Sequence, residues 1–404
     1  MLTSRRAIGL AIAGSLGCLT ILLSGCQNSP GAAQASDPTR APTHTPLPQI
    51  LISPTPARPT LPPVTPTPTA DTRLITTFAP DVNPLTGEQV SDPAVLQRRP
   101  LAIKVGNSNE TGVRPQSGVS LADLVFEHET EGRISRWTAI FLTNTPARVG
   151  SNRSCRIIDA DLPAMYKSLL ACSGFHPGTR MFYIELTEFH TEHRVLSPDF
   201  GDGSPMFFRT DAPGWHNMFV DPAAIWEEAD ERGINQPQAL GGMVFSTAPL
   251  EAGEPATQAI IPYRDDAEWR YNPTSTTCSS RAGCYLRWSG GVAHTDALNG
   301  QQLSAANVVI VYVNHVQDVR YREDVSPGSY SIQIQIWNDP SNPELPGGRA
   351  LILRDGQVFE GKWSRPGRFA MLAFIDAAGD PIPLKPGITW VQLVRLDANV
   401  QIQP

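Results

Sequence analysis

The chain has 404 residues and a formal net charge of −7 at pH 7, with 32 Lys and Arg residues against 39 Asp and Glu residues. This mildly acidic composition contains no long basic run, which excludes the electrostatic footprint of a nucleic-acid-binding protein, and we expect no nucleic-acid partner. The length exceeds what one hydrophobic core usually serves and favours two folded domains.

Residues 1–25 have the pattern of a bacterial signal peptide. Arg5 and Arg6 precede an apolar run over residues 7–23. The run ends in LSGC at residues 23–26, which resembles the lipobox of bacterial lipoproteins, whose cysteine receives diacylglycerol. The alternative is an uncleaved membrane-spanning helix, for which the run is short. We expect lipidation of Cys26 and an extracytoplasmic protein that is anchored to the cell membrane by lipid.

Residues 26–73 are rich in Pro and Thr and contain few aromatic or charged residues. Such a segment buries too little apolar surface to offset the cost of ordering the chain, and its prolines favour extended polyproline II structure. We expect a disordered tether with a reach on the order of 100 Å. Its Thr-Pro repeats are compatible with O-glycosylation.

The remaining sequence predicts a sandwich-like α/β domain of the α+β type at residues 74–250 and a mainly β domain at residues 251–404. In the first domain, apolar residues spaced near 3.6 predict a helix over residues 157–170. Asp221 followed by Pro222 predicts the start of a second helix. Runs rich in β-branched and aromatic residues predict strands at 101–105, 121–127 and 134–142.

The second domain reads as a series of short strands. Asp355-Gly356 separates two of them and is a strong signal for a tight hairpin turn. The predicted strands cover residues 258–261, 268–271, 307–313, 330–337, 350–354, 357–362, 369–376 and 389–396.

Four cysteines remain once Cys18 is assigned to the signal peptide and Cys26 to the anchor. An even number in an oxidising compartment favours disulfides. Cys278 and Cys284 flank a short turn-like segment, so we expect them to pair, and Cys155 then pairs with Cys172. Free thiols are the alternative, although neither pair has a recognisable base to activate a nucleophile.

Several ordered motifs between residues 83 and 396 resemble the YerB-like lipoprotein family, which is defined by a domain of unassigned function. The chain departs from the family pattern at Arg133, where a second Gly is preferred, and at Ser151, where Pro is usual. The resemblance implies a fold and a location, and it implies no activity. The motifs include NPLTG at 83–87, RPQSG at 114–118, ISR at 134–136, RSCR at 153–156, HN at 216–217 and HTD at 294–296.

Cationic residues stand inside or beside otherwise apolar strands of the first domain, where charges rarely occur without partners. The guanidinium fork of Arg matches carboxylate or phosphate oxygens in a bidentate way. We predict an anion-binding site formed by Arg114, Arg136, Arg153 and Arg156, with Lys104 and Arg133 nearby. The alternative is a structural network in which these cations pair with Asp123, Glu127, Glu131, Asp159 and Asp161.

A second set of polar residues also matches the family motifs. A His beside an acid can act as a base, although no nucleophile elbow accompanies these residues, and hydrogen-bonded loop anchors are the alternative role. The order of an Asp strand, a second strand and an Arg-bearing turn is similar to the LytR-CpsA-Psr phosphotransferases, without the Arg that stands next to that Asp. The candidates are Asp123, Glu127, Glu131, His216, Asn217, His294 and Asp296.

His190 and His193 are three residues apart with acids around them, a spacing compatible with a divalent metal. No third ligand is visible, so we interpret them as a surface pair and predict neither metal nor cofactor, with a divalent metal as the alternative. Trp288 is the tryptophan that we select for a glycan contact.

The sequence therefore predicts a lipoprotein that binds peptidoglycan or an anionic wall polymer through its arginines. An enzyme that transfers or hydrolyses such polymers and an assembly partner of other envelope proteins are the two alternatives.

Overall fold

The computed structural model describes residues 77–211, 214–323, 327–336 and 347–404. The predicted signal peptide, Cys26 and the tether lie outside the described residues, as does Trp337 at the end of a predicted strand. The described residues belong to one unit, residues 68–404. Within the ranges described, no helix is long and apolar enough to cross a membrane.

Strands dominate the described part of the chain. The first eight are β1 (Leu101–Asn107), β2 (Leu124–Glu129), β3 (Ser135–Phe141), β4 (Val149–Gly150), β5 (Leu169–Ala171), β6 (Val195–Leu196), β7 (Phe207–Arg209) and β8 (Met218–Val220). The others are β9 (Glu254–Pro255), β10 (Gln258–Ile261), β11 (Ala267–Asn272), β12 (Cys284–Ser289), β13 (Val292–Ala293), β14 (Ser304–Ala305), β15 (Asn307–Arg322), β16 (Tyr330–Gln335), β17 (Gly348–Arg354), β18 (Gln357–Ser364), β19 (Ala373–Ile375), β20 (Thr389–Arg395) and β21 (Gln401–Gln403).

The helices are short and lie mostly in the first half of the chain. The α-helices are α1 (Leu162–Met165), α2 (Pro177–Thr179), α3 (Glu188–Thr191) and α4 (Pro222–Glu231). Short 3₁₀ helices cover Pro93–Gln97, Val119–Leu121, Glu131–Arg133, Ile157–Ala160 and Pro198–Phe200, and a π-helical turn covers Arg180–Ile184.

Twelve strands form the main sheet, in the order β19-β18-β17-β15-β20-β2-β3-β1-β5-β6, with β16 paired to β15 and β9 to β18. Near the C-terminus, β20 lies between β2 and β15 and runs parallel to both. The first half is mixed α/β with few helices and the second is mainly β, which confirms the predicted fold class. Both halves supply strands to one sheet, and the domain boundary between residues 250 and 251 stays a prediction.

The main sheet is buried on both faces. On β3, Trp137 and Ala139 enter one hydrophobic cluster, whereas Ile140 enters the cluster on the opposite face. All seven residues of β1 are buried. Its sequence is therefore mostly apolar and does not alternate between apolar and polar residues, as it would in a strand with one face in solvent. Charged residues on these strands, such as Lys104 and Glu127, therefore need buried partners.

Outer layers cover the two faces. A six-stranded sheet, β13-β12-β11-β10-β21 with β14 paired to β12, contributes Trp269 and Tyr285 to the cluster that holds Trp137. Leu162 of α1 and Phe189 of α3 lie in the cluster on the opposite face. The remaining strands form a small sheet in the order β4-β8-β7.

The helix predicted over residues 157–170 is wrong. A 3₁₀ helix and α1 occupy its first part, and Leu169–Ala171 is β5, which pairs parallel with β1. Lys167 takes a left-handed φ of 49°, which ends the helical path before β5. A short apolar run that is buried on all sides looks alike in a helix and in a central strand, and here the pairing with β1 decides for the strand.

Two local predictions are confirmed. Asp221 caps α4 by accepting hydrogen bonds from the amides of Ala223 at 2.9 Å and Ala224 at 3.3 Å. Asp355 and Gly356 have φ values of 54° and 76°, as a type I′ turn requires, and they join β17 to β18.

Both predicted disulfides are present. Cys155 pairs with Cys172, and Cys278 pairs with Cys284, each with 5.8 Å between the Cα atoms. The first ties the chain after β4 to the end of β5, and the second closes a short loop before β12.

Candidate functional site

A cavity of about 590 Å³ brings together three of the four arginines predicted to bind an anion, namely Arg136, Arg153 and Arg156. Glu131 and His216, from the second predicted set, line the same cavity. The residues that line this cavity come from parts of the chain that are far apart in the sequence. Its wall also includes Glu110, Ser154, Gly174, His176, Trp215, Arg264, Glu323 and Ser329.

Arg136 stands near the start of β3, on the sheet face opposite Trp137. Only 7 % of the residue is exposed. Its Nε and Nη1 atoms are buried and have no hydrogen-bond partner among the residues that the structure describes. A buried guanidinium normally has its donors satisfied, because an unpaired charge is costly to bury. Arg136 is therefore a buried cation in the cavity wall with two nitrogens that no described residue satisfies.

Arg156 is as deeply buried as Arg136, but its guanidinium has hydrogen-bond partners. Its Nε donates to Glu131 Oε2 at 2.9 Å, and its Nη2 donates to the other oxygen of the same carboxylate. Glu323 lies 3.6 Å from Nη1 on the other side. Two carboxylates therefore neutralise Arg156, as the structural-network alternative predicts for this residue.

Arg153 lies three residues earlier and is half-buried in the same wall. No hydrogen bond or ion pair joins its side chain to a carboxylate in the described ranges of the chain. Arg136 and Arg153 thus differ from Arg156, because they present positive charge to the cavity without a directly bound acid.

The segment that carries Arg153 and Arg156 is fixed to the sheet at several points. Asp159 accepts from the Arg156 amide at 2.7 Å and from Lys104 Nζ at 2.8 Å. Lys104 comes from β1, and both members of this ion pair are fully buried. The Cys155–Cys172 disulfide holds the middle of the segment. The arginines are thus presented by a segment with little freedom to move.

The cavity wall carries an excess of positive charge, with four arginines against three glutamates. Burial, followed by the nearby charge of Arg156, lowers the pKa of Arg136 to about 10. Burial and Arg156 also lower the pKa of Arg153. For Arg156 itself, burial opposes ionisation, but the Glu131 carboxylate outweighs it and raises the pKa. The first two shifts are caused mainly by burial and secondarily by the charge of Arg156, and a bound anion would oppose both effects.

His216 and Trp215 form another part of the wall. His216 Nε2 lies 2.6 Å from Glu110 Oε2, and its Nδ1 is buried without a partner among the described residues. Trp215 is 76 % exposed. An imidazole and a free aromatic face therefore stand in the same cavity as the two arginines.

The fourth predicted arginine lies elsewhere. Arg114 donates to Asn107 Oδ1 and to Ser289 Oγ, each at 3.0 Å, and its Nη2 is 3.5 Å from Asp265. It adjoins the face of the sheet that the six-stranded layer covers. The structure does not bring Arg114 into the cavity with Arg136.

Glu127 is enclosed on that same face. It forms an ion pair with Arg287 at 2.9 Å, and both side chains are fully buried. The Arg287 guanidinium lies 5.2 to 5.3 Å from the ring centres of Trp137, Trp269 and Trp390. This geometry matches the structural alternative for Glu127.

Three of the other candidates, Asp123, His294 and Asp296, are buried anchors. Asp123 accepts from the amides of Leu142 and Thr143, and its burial raises its pKa. His294 Nε2 lies 2.7 Å from Gln116 Oε1, and Asp296 accepts from the amides of Gly118 and Ser120, each at 2.8 Å. Asn217 bonds with Arg209 and the Thr210 carbonyl and is not in the cavity wall.

The histidine pair and Trp288 also lie outside the cavity. The ring of His190 packs 4.9 Å from that of Phe200, and His193 follows the end of α3 with a φ of 58°. Among the described residues, no three His, Cys, Asp or Glu side chains are grouped as metal ligands would be. Trp288 lies 4.0 Å beneath the guanidinium of Arg270.

Sequence reasoning missed several residues of the wall. Glu110, Arg264 and Glu323 reach it from loops whose proximity depends on the tertiary fold. For Trp215 the sequence does contain an indication of a role in the site, because this residue directly precedes the HN motif at residues 216–217.

Comparisons with known proteins cover most of the chain. Residues 85–235 match the N-terminal domain, and residues 260–391 the C-terminal domain, of a family described as protein of unknown function (DUF3048). A protein of Bacillus subtilis (strain 168) named "Putative lipoprotein YerB" is 29 % identical over 324 residues, which are 78 % of this chain and 87 % of that protein. The crystal structure of YerB protein from Bacillus subtilis superposes with a TM-score of 0.61 and 26 % identity, covering 79 % of this chain and 99 % of that one.

Proposed function

The chain belongs to the DUF3048 family, and from this premise we propose that it is an extracytoplasmic lipoprotein that binds an anionic group of the cell envelope between Arg136 and Arg153. In this proposal, Cys26 carries the lipid that anchors the protein to the cell membrane, and residues 26–73 give the folded part its reach. The related Bacillus subtilis protein is named as a lipoprotein, which supports the anchor.

The observation that carries the proposal is that Arg136 is buried without partners for part of its guanidinium. Its guanidinium is buried in a cavity wall, and two of its nitrogens have no partner among the described residues. Stability alone does not favour such an arrangement, because an apolar side chain of similar size would fit there at a lower cost. Residues that lower stability in this way are characteristic of binding sites.

The neighbouring ion pairs support the assignment. Glu131 and Glu323 satisfy Arg156, and Glu127 satisfies Arg287. In these two cases the fold supplies an acid to a buried arginine. Arg136 and Arg153 are left for an external anion, which a guanidinium binds through charge-assisted hydrogen bonds.

The test is the binding of poly(glycerol phosphate), pyrophosphate and soluble peptidoglycan fragments to the full chain purified from membranes in a non-ionic detergent. Isothermal titration calorimetry should detect at least one of these probes in the micromolar range, and affinity should fall as salt is added. Arg153→Gln should remove that binding. Arg349→Gln is the matched control, because Arg349 is half-exposed on β17 and paired with Glu360.

Loss of binding in Arg153→Gln, with retention in Arg349→Gln, supports the proposal. The absence of binding of all three probes to the unaltered chain would contradict it.

A second candidate function is hydrolysis of a phosphate ester in the same cavity. His216 favours it, because it lines the cavity and its Nε2 is held by Glu110. A histidine held in this way can take the proton of an attacking water and pass it to the leaving alcohol as the P–O bond breaks. Release of p-nitrophenol from bis(p-nitrophenyl) phosphate by the full chain, and its loss in His216→Asn, would support this activity. Absence of release would exclude it for this probe.

A further inference from the structure

We infer that the group bound in the cavity is a phosphate attached to a sugar, with the phosphate held by Arg136 and Arg153 and the sugar placed on the ring of Trp215. This inference rests on the proposed function and narrows it from any anion to one chemical class of ligand.

The first argument concerns the number and origin of the arginines. A carboxylate is planar, and a single guanidinium can occupy both of its oxygens, as Arg156 does with Glu131. A phosphate group is tetrahedral, so its oxygens can accept from two guanidiniums that approach from different directions. Arg136 comes from β3 and Arg153 from the segment after β4. Two arginines from separate elements suit a phosphate better than a carboxylate.

The second argument concerns the charge of the wall. Glu110, Glu131 and Glu323 line the same cavity, and they would repel a chain of closely spaced negative charges. Four arginines against these three glutamates leave a formal balance of one positive charge, before any contribution from the histidines. The cavity is therefore suited to one phosphate group, either free or as a single unit of a polymer, and not to several directly adjacent phosphates.

The third argument is the exposure of Trp215. It is 76 % exposed, and no other tryptophan in the described ranges is among the exposed large hydrophobic residues. A bare indole in water forgoes the burial that tryptophan usually gains. The C–H face of a pyranose ring would cover this indole and gain dispersion contacts with it.

The size of the cavity agrees with a ligand larger than an inorganic ion. Its volume of about 590 Å³ lies within the range of small-molecule sites. A free phosphate would leave most of this space empty, whereas a sugar attached to the phosphate would extend toward Trp215 in the same wall.

The experiment uses three probes and the full chain in detergent micelles, with affinities from isothermal titration calorimetry. α-Glucose 1-phosphate carries both recognised groups, inorganic phosphate carries the anion alone, and glucuronate carries a sugar with a carboxylate. We expect glucose 1-phosphate to bind at least about tenfold more tightly than either of the others, which corresponds to about 1.4 kcal/mol.

Two variants separate the two halves of the site. Trp215→Ala should weaken the binding of glucose 1-phosphate about tenfold and leave inorganic phosphate unchanged, because only the sugar would contact the indole. Arg153→Gln should weaken both. Trp288→Ala is the matched control, since Trp288 lies outside the cavity beneath Arg270, and it should change neither affinity.

The outcomes also separate this inference from the proposed function. If glucuronate binds as tightly as glucose 1-phosphate, the assignment of a phosphate is overturned, while anion binding stands. If Trp215→Ala leaves the affinity for glucose 1-phosphate unchanged, the assignment of the sugar is overturned. If poly(glycerol phosphate), pyrophosphate and peptidoglycan fragments also fail to bind, the proposed function itself fails.

Discussion

Arg136 and Arg156 are buried to the same extent, with 7 % of each residue exposed, yet only Arg156 is in contact with carboxylates. The two side chains line one cavity and carry the same charge. Because burial costs both of them solvation, the acids beside Arg156 offset a cost that Arg136 bears alone. The difference predicts opposite responses when each arginine is replaced by an apolar residue.

Arg136→Met should raise the free energy of unfolding by about 1 to 3 kcal/mol, because it removes a buried charge that has no directly bound acid. Urea unfolding of the purified chain measures this change. The same variant should lose the binding of poly(glycerol phosphate). A fall in stability would instead assign Arg136 to the structural network.

Arg156→Met should lower the free energy of unfolding by about 3 to 5 kcal/mol, because Glu131 and Glu323 would stay buried without their cation. Combining it with Glu131→Gln should restore part of that loss, since the neutral amide is easier to leave unpaired. A double-mutant cycle from urea unfolding gives the coupling energy. A coupling near zero would contradict the ion pair.

Arg287→Met should lower the free energy of unfolding by about 3 to 5 kcal/mol, because Glu127 is fully buried and would lose its ion pair. Arg114→Gln is the comparison, since its contact with Asp265 is partly exposed and should contribute about 1 kcal/mol or less. We expect Arg287→Met to keep its binding of the envelope probes. If it folds but binds none of them, the conclusion that the Arg287–Glu127 pair is separate from the cavity is wrong.

Lys104 should make stability depend on pH. Its burial lowers its pKa from 10.5 to about 8, against the opposing effect of Asp159. Between these two values the unfolded chain keeps a proton that the folded chain has lost, so stability rises with pH, by at most about 1.4 kcal/mol per pH unit. Below pH 8 both states are protonated and this contribution is constant.

The measurement is the free energy of unfolding from urea titrations at intervals between pH 7 and pH 10, in the unaltered chain and in Lys104→Met. The variant should be less stable, because Asp159 loses its partner, and it should show a smaller rise with pH above 8. Parallel curves in the two proteins would contradict the lowered pKa of Lys104.

The two disulfides should differ in their effect on binding. Replacing Cys155 and Cys172 by Ala should lower the free energy of unfolding by about 3 kcal/mol and weaken the binding of poly(glycerol phosphate), since Arg153 and Arg156 flank Cys155. The same change at Cys278 and Cys284 opens a shorter loop, costs about 2 kcal/mol and should leave binding intact. Equal losses of binding would mean that the first disulfide does not position the arginines.

Much of the fold was accessible from the sequence because its signals are local. The Asp221 cap and the turn at Asp355-Gly356 depend on side chains within a few residues, and both are confirmed. The helix predicted over residues 157–170 failed because β5 is defined by its pairing with β1, some 68 positions earlier, where Leu101 faces Leu169. No local pattern reports such a pairing.

The candidate site could be predicted in part for a similar reason. Arginines inside or beside apolar strands are unusual, and Arg136, Arg153 and Arg156 were selected on that basis. Which of them an acid neutralises depends on Glu131 and on Glu323, and the second directly follows β15, far away in the sequence. Arg114 was selected together with them but adjoins another face of the sheet.

The position of β20 within the main sheet determines when that sheet can finish folding. Leu124 of β2 pairs with Thr389 of β20, 265 positions later, and β15 takes the other edge of the same strand. Until residues 389–395 are present, β2 and β15 each have an unpaired edge. A chain that lacks these residues therefore cannot complete the main sheet. In the export that we propose for this chain, the delay keeps the main sheet open until residues 389–395 are available. It also means that a truncated product lacks β20 and exposes two strand edges to proteases.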